Sequence, residues 1–197
     1  MGITTGILIF DDFEELDAVG PWEVFGMAKL VSPEDRVVTI AATREPVRAA
    51  KGLRVLPDHS FADAPALDVV LVPGGQGTRR EVSNPELIEW LRKAGAQCKW
   101  VTSVCTGALL LHEAGFAKGK RVTTHWAFVE QLRKRGDVEV LEKLRYVRDG
   151  NLVTSAGVSA GIDMALWLVG QIHGVQAARQ VQRAMEYDPA PPYAAEV

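Results

Sequence analysis

The sequence predicts an α/β fold built on a parallel sheet, and three features carry that reading. Continuous apolar runs recur at residues 5–10, 36–41, 68–72, 99–104 and 151–155. Runs without polar alternation belong to strands buried on both faces. Helical patterns separate and follow these runs, at 14–29, 84–94, 106–114, 127–135, 159–170 and 175–187, and such alternation specifies βαβ units. The third feature is placement. Acidic, glycine and cysteine residues gather just after strands one, three and four, where open α/β sheets bind ligands.

Each element has its own justification. The run TGILIF (5–10) opens the sheet, and its loop leads through Asp11 and Asp12 into the 14–29 pattern. RVVTIA and DVVLV continue the sheet, the second ending in Pro73-Gly74-Gly75-Gln76-Gly77. KWVTSV ends on Cys105, and Thr106-Gly107-Ala108 starts the next helix. Short strands at 54–56 and 143–148 are expected to form a flanking ribbon. The tail from Asp188 (DPAPPYAAEV) is proline-rich and is expected to be extended and to pack on a neighbour.

A chain of 197 residues buries roughly 70% of the surface its unfolded form exposes. Residues 1–197 therefore read as a single domain. With 22 basic and 25 acidic side chains the formal charge is −3, and no basic run supplies an electrostatic footprint for nucleic acid. The longest strongly apolar stretch, 164–169, falls far short of the roughly 20 residues a spanning helix needs, so no membrane partner is expected. The N-terminus lacks the basic start and cleavage site of a signal peptide. Two cysteines, Cys98 and Cys105, make no disulfide framework, and the cytoplasm is the expected compartment.

Cys105 is the leading candidate for chemistry. A strand–nucleophile–helix turn projects its side chain at the sheet edge, as in a nucleophile elbow. The helix N-terminus is expected to lower the thiol pKa and favour the thiolate. The bland alternative is a small buried hydrophobe. Cys98 lies at the opposite end of the same strand and reads as structural. Asp17, between Leu16 and Ala18, is the acid best placed to turn inward. The glycine turn at Gly74 and Gly75 lets a backbone approach a ligand and aims N–H groups at an anion, so an oxyanion hole competes with a plain tight turn. It is no dinucleotide fingerprint, because Gly75-x-Gly77-x-x ends on Arg80.

Of the histidines, His125 follows a short apolar strand and can face the same end of the sheet. His112 lies seven residues past Cys105, about 10 Å along a helix axis and too far for proton transfer. His59 and His173 fall in a loop and at a helix end. With no HExxH motif and no Cys/His cluster, neither metal nor cofactor is expected.

These motifs resemble the DJ-1/PfpI superfamily. The resemblance rests on Val101-Thr102-Ser103-Val104-Cys105-Thr106-Gly107-Ala108, on Ala114-Gly115 and on Val122-Thr123-Thr124-His125-Trp126. Ile9-Phe10, Glu15-Leu16-Asp17, Gly20-Pro21, Val72-Pro73-Gly74-Gly75, Asp149-Gly150-Asn151-Leu152 and Ala160-Gly161-Ile162-Asp163 extend it over nearly the whole chain. Within the superfamily the pattern is most similar to the isocyanide hydratases, including Gln180-Val181-Gln182 and the Glu186-Tyr187-x-Pro189 segment.

The resemblance implies a flavodoxin-like, class I glutamine-amidotransferase-like three-layer sandwich, and a homodimer. It implies Cys105 as nucleophile, Asp17 as acid/base where many members carry glutamate, and Thr106 as hydrogen-bonding neighbour. Backbone N–H groups near Gly75 and Thr106 would form the oxyanion-type pocket, and His125 matches a superfamily histidine. The implied activity is hydration of a small-molecule isocyanide to an N-substituted formamide through a covalent thioimidate. The rival readings are a redox- or ligand-sensing module, as in sensor domains of AraC-type regulators, and amidase, protease or glyoxalase-like chemistry.

Overall fold

The computed structural model describes residues 2–189, so the expected packing of the tail lies largely outside the described residues. In chain order the elements are β1 (Thr4–Leu8), α1 (Glu15–Met27), β2 (Arg36–Ala41), β3 (Val47–Arg48), β4 (Arg54–Val55), β5 (His59–Ser60), β6 (Val69–Val72), α2 (Thr78–Glu81) and α3 (Pro85–Gln97). They continue with β7 (Trp100–Val104), α4 (Gly107–Glu113), β8 (Arg121–Val122), α5 (Val129–Arg133), β9 (Glu139–Val140), β10 (Tyr146–Asp149), β11 (Leu152–Ser155), α6 (Ala160–His173) and α7 (Val175–Ala184).

Seven strands form the central sheet in the order β10-β11-β7-β6-β1-β2-β5. All neighbours pair in parallel except β10 with β11. The strands are apolar because helices cover both faces: Val69, Val70, Leu71 and Val72 are wholly buried, as are Ile7 and Leu8. Mostly parallel order with flanking helices is the flavodoxin-like architecture the sequence implied. Among the described residues no helix is long and apolar enough to cross a membrane.

The expected flanking ribbon does not form from its two predicted halves. β4 pairs instead with β3, and β10 joins the edge of the main sheet against β11. Both pairings are local hairpins, and the second closes through the two residues Gly150-Asn151 between Asp149 and Leu152. A tight turn holds neighbouring strands together with little loop entropy, so each strand pairs with its sequence neighbour. His59 lies in β5 rather than in a loop.

Two features of the fold position the site. α4 buries Gly107, Ala108, Leu109, Leu110, Leu111 and His112, which anchors the turn before it. α1 carries Pro21 in its interior and crosses α6 closely at Gly20, where a Cβ would lie 2.9 Å from Ile162 Cγ1. That packing fixes the first turn of α1, and with it Asp17.

Candidate active site

Cys105 occupies the turn between β7 and α4 with φ +56°. That left-handed conformation is costly for a residue with a Cβ, of order 1–3 kcal/mol, and the surroundings hold it. The Cys105 N–H donates to the carbonyls of Ser155 and Ala156, each at 3.1 Å. Its own carbonyl accepts from Thr124 Oγ1 at 2.7 Å. The side chain is buried, 7% exposed.

Asp17 comes from the first turn of α1 and is completely buried. Its Oδ2 accepts the Gly74 N–H at 2.9 Å, and its Oδ1 has no hydrogen-bond partner. Burial pushes its pKa up to about 7 against the Gly74 hydrogen bond, with the charge of Glu14 adding to the rise. The neighbouring Cys105 thiol lowers it slightly, although Sγ and Oδ1 do not reach hydrogen-bond geometry.

The Cys105 thiol is pushed up to about 12, first by burial and then by the Asp17 charge. The Thr106 N–H and hydroxyl oppose this and do not prevail. The expected lowering of the thiol pKa by the helix N-terminus is therefore reversed. Dipole effects on an exposed group are typically 0.3–1 kcal/mol, less than the penalty for a desolvated thiolate beside a carboxylate. At neutral pH the site holds a thiol next to a carboxyl near its midpoint.

The glycine turn serves the side chains. Gly74 donates to Asp17, and Gly75 donates to Thr106 Oγ1 at 3.1 Å. A Cβ on Gly74 would lie 2.5 Å from the Thr106 nitrogen and 2.9 Å from the Cys105 Cβ, so only glycine permits the approach. Gly75 adopts φ +114° and bridges Phe13 across the loop after β1. The Gly75 N–H expected to face an oxyanion is thus engaged by Thr106, because loops β1–α1 and β6–α2 are zipped together at this point.

Thr106 Oγ1 sits amid donors: Gly75 N–H, Thr78 Oγ1 at 3.1 Å and Arg79 Nη1 at 3.4 Å. Its own proton goes to the Gly75 carbonyl at 3.2 Å, and its hydroxyl also acts on the Cys105 thiol, opposing the rise of its pKa. Arg79 donates to the same carbonyl at 2.7 Å, and the single Thr78 proton is shared between it, at 2.8 Å, and Thr106 Oγ1. Sequence reasoning missed both residues. The available signal was their position, immediately after the glycine turn on a helix only four residues long.

His125 stands apart from the pair. Its Nδ1 accepts the Ala127 N–H at 3.3 Å, and its ring lies against Gly157. It lines a cavity of about 430 Å³ with Thr124 and Ala156, the residues that hold the Cys105 backbone, but Cys105 and Asp17 do not line it. His112 Nε2 bonds Asp137, and His173 Nε2 bonds Asp35 at 2.7 Å. Cys98 lies at the far end of β7, its thiol donating to the Ala94 carbonyl at 3.2 Å.

A buried cysteine at a strained turn, beside a buried acid from the first turn of a helix, now has a match among known proteins. The DJ-1/PfpI family model matches residues 5–171. The chain belongs to the DJ-1/PfpI family. It is 42% identical over 193 residues to an isonitrile hydratase of Pseudomonas putida, covering 98% of this chain and 82% of the relative. It is 30% identical to the Parkinson disease protein 7 homolog of Danio rerio, covering 89% and 93%. The HTH-type transcriptional regulator GbdR of Pseudomonas aeruginosa is 29% identical over 93% of this chain, which spans only 50% of that regulator. Among solved structures, a THiJ/PfpI family protein from Pseudomonas syringae superposes with a TM-score of 0.92 at 33% identity, covering 100% of this chain and 80% of that one.

The raised pKa of Asp17 makes a prediction about stability. The folded state holds a proton on Asp17 up to about pH 7, whereas the unfolded chain releases it near 3.8. Asp17 thus contributes stability fully below that lower value and loses the contribution as pH rises through about 7. Asp17→Asn keeps the acceptor for Gly74 without the charge. Its stability relative to the native protein, read from urea midpoints, should rise between pH 5 and pH 8 and then level off. An equal difference at both pH values would contradict a raised pKa.

Proposed function

We propose that this protein hydrates isocyanides, R–N≡C, to N-substituted formamides, with Cys105 as nucleophile and Asp17 as proton carrier. The observation that carries the reading is the buried Asp17 carboxyl beside the Cys105 thiol, with its pKa raised to about 7. The likeness to an isonitrile hydratase, isonitrile being another word for isocyanide, supports the same chemistry.

The steps follow from that pair. As the Cys105 sulfur forms a bond to the terminal carbon, the Asp17 carboxylate takes the thiol proton and delivers it to the same carbon. The product is a thioimidate, R–N=CH–S. Water then adds to this carbon while Asp17 accepts one of its protons and the nitrogen gains another. Collapse breaks the C–S bond, releases R–NH–CHO and returns the proton to sulfur. A carboxyl with pKa near the working pH suits both directions of transfer, and two additions replace one difficult step. The Thr106 N–H and hydroxyl, which oppose the rise of the thiol pKa, steady the sulfur as charge develops.

The protonated resting thiol weighs against the redox-sensing alternative, since sensor cysteines are low-pKa and accessible. Formation of formamide from an aryl or alkyl isocyanide is the direct assay. Cys105→Ala should abolish it, while Cys98→Ala keeps most of it. Asp17→Asn should lose roughly 10²-fold or more of turnover. Equal activity in the two cysteine variants, or full activity in Asp17→Asn, would contradict the assignment.

A homodimer belongs to this reading. α1 buries Ala18, Pro21, Val24 and Phe25, yet leaves Leu16, Val19 and Trp22 about 40% exposed on its other side. Val19 and Trp22 also line an apolar cavity of about 220 Å³ with Phe13 and Val55. A helix apolar on both sides calls for a second covering surface, and a second copy of this chain supplies one. Light scattering at micromolar concentration should give twice the chain mass, and Trp22→Glu should shift it toward the monomer. A monomeric mass for the native protein would refute the dimer.

A further inference from the structure

Arg79 has no role in the steps above, and its surroundings are unusual for a surface arginine. Its guanidinium lies over the Phe128 ring, with Cζ 4.8 Å from the centroid. Nη1 is held by the Gly75 carbonyl and Thr78 Oγ1, and reaches Thr106 Oγ1 at 3.4 Å. Thr106 follows Cys105 directly in the chain, and its hydroxyl opposes the rise of the thiol pKa. The guanidinium therefore reaches the hydroxyl of the residue next to the nucleophile.

The charge on Arg79 is unanswered. Among the described residues no carboxylate lies within ion-pair distance of it. The next residue, Arg80, is tied to Glu81 at 2.8 Å and to Asp12 at 3.3 Å. The other acids nearby are committed as well: Glu14 pairs with Lys51, and Asp17 is buried on Gly74. With Nη1 engaged, Nε and Nη2 have no protein acceptor among the described residues. Stacking on Phe128 and anchoring on Gly75 limit the motion of a side chain that ordinarily loses considerable entropy on ordering. The result is a held cation with donors to spare, against the residue that follows Cys105.

We infer that Arg79 is a specificity-determining residue that binds a carboxylate carried on the substrate's substituent. The favoured substrates would then be isocyanides whose R group bears a carboxylate. This rests on the hydratase reading for the reacting group, but not for the anion. A planar guanidinium fork matches carboxylate geometry in a way an ammonium does not. Placed against Thr106, the residue next to Cys105, it would orient such a substrate with its uncharged isocyano end toward Cys105.

Alkylation of Cys105 separates the two readings, because it needs the thiol and no hydratase activity. With iodoacetate or iodoacetamide, sulfur bonds to the methylene carbon, iodide leaves, and the thiol proton passes to Asp17 or solvent. The ratio of the iodoacetate to the iodoacetamide rate at Cys105, followed by peptide mass spectrometry, should fall about tenfold in Arg79→Met, as expected for a lost hydrogen bond to a charged group. Arg79→Lys should recover only part of the ratio, and added salt should reduce it in the native protein. The iodoacetamide rate reports in each variant whether the elbow is intact. In turnover, Arg79→Met should lose more kcat/KM for isocyanoacetate than for its uncharged methyl ester. If the alkylation ratio does not change in Arg79→Met, the inference is overturned, whatever the turnover. If the ratio falls but no isocyanide is hydrated, anion recognition by Arg79 stands and the hydratase reading is the one that fails.

Discussion

The hydrogen bond from the Gly74 N–H to Asp17 Oδ2, 2.9 Å long and wholly buried, is the contact on which the site depends. It joins the first turn of α1 to the turn after β6, across the switch point of the sheet. To reach it, Gly74 must pass within van der Waals range of Thr106 and Cys105, which a side chain would forbid. The same approach lets Gly75 hold Thr106. One backbone turn thus positions the Asp17 carboxyl, the Cys105 thiol and the Thr106 hydroxyl. A single neutral donor is weak compensation for a buried carboxylate. The carboxyl therefore keeps a proton to unusually high pH and stands near its midpoint at neutrality.

Strain and burial act together here. The left-handed Cys105 would relax if α4 or the loop after β11 gave way. Its N–H is shared between Ser155 and Ala156, and its carbonyl is held by Thr124, so two separate segments fix one residue. α4, buried on nearly all sides, gives the turn a rigid base. The site is preorganised by packing laid down well away from the sulfur.

Much of this was legible in the sequence. Buried parallel strands are read from unbroken apolar runs, and the cysteine between KWVTSV and TGA could hardly be placed elsewhere. Asp17 was found because apolar Leu16 and Ala18 flank it, and Ala18 is indeed buried with it. Other features depend on tertiary contacts that no local pattern encodes. The thiol pKa was misjudged because a helix terminus is visible in sequence, whereas the desolvation that outweighs it is not. The glycine turn was read as an open anion site because its N–H groups could not be traced to Asp17 and Thr106. The ribbon failed because Asp149-Gly150-Asn151 is a hairpin turn, which keeps β10 on the main sheet. Arg79 was hidden for a similar reason: its stacking partner, Phe128, lies far along the chain.

The claim that a proton resides on Asp17 near neutrality is open to direct measurement. Carbon-13 NMR of the aspartate side-chain carboxyls, with Asp17 assigned through Asp17→Asn, gives its titration in the folded protein. The account predicts a midpoint of about 7. A native midpoint near the ordinary carboxylate value, about 4, would mean that the carboxyl is charged throughout. A carboxylate that weakly basic would be poorly matched to taking and returning the thiol proton at neutral pH, and the proposed cycle would be contradicted.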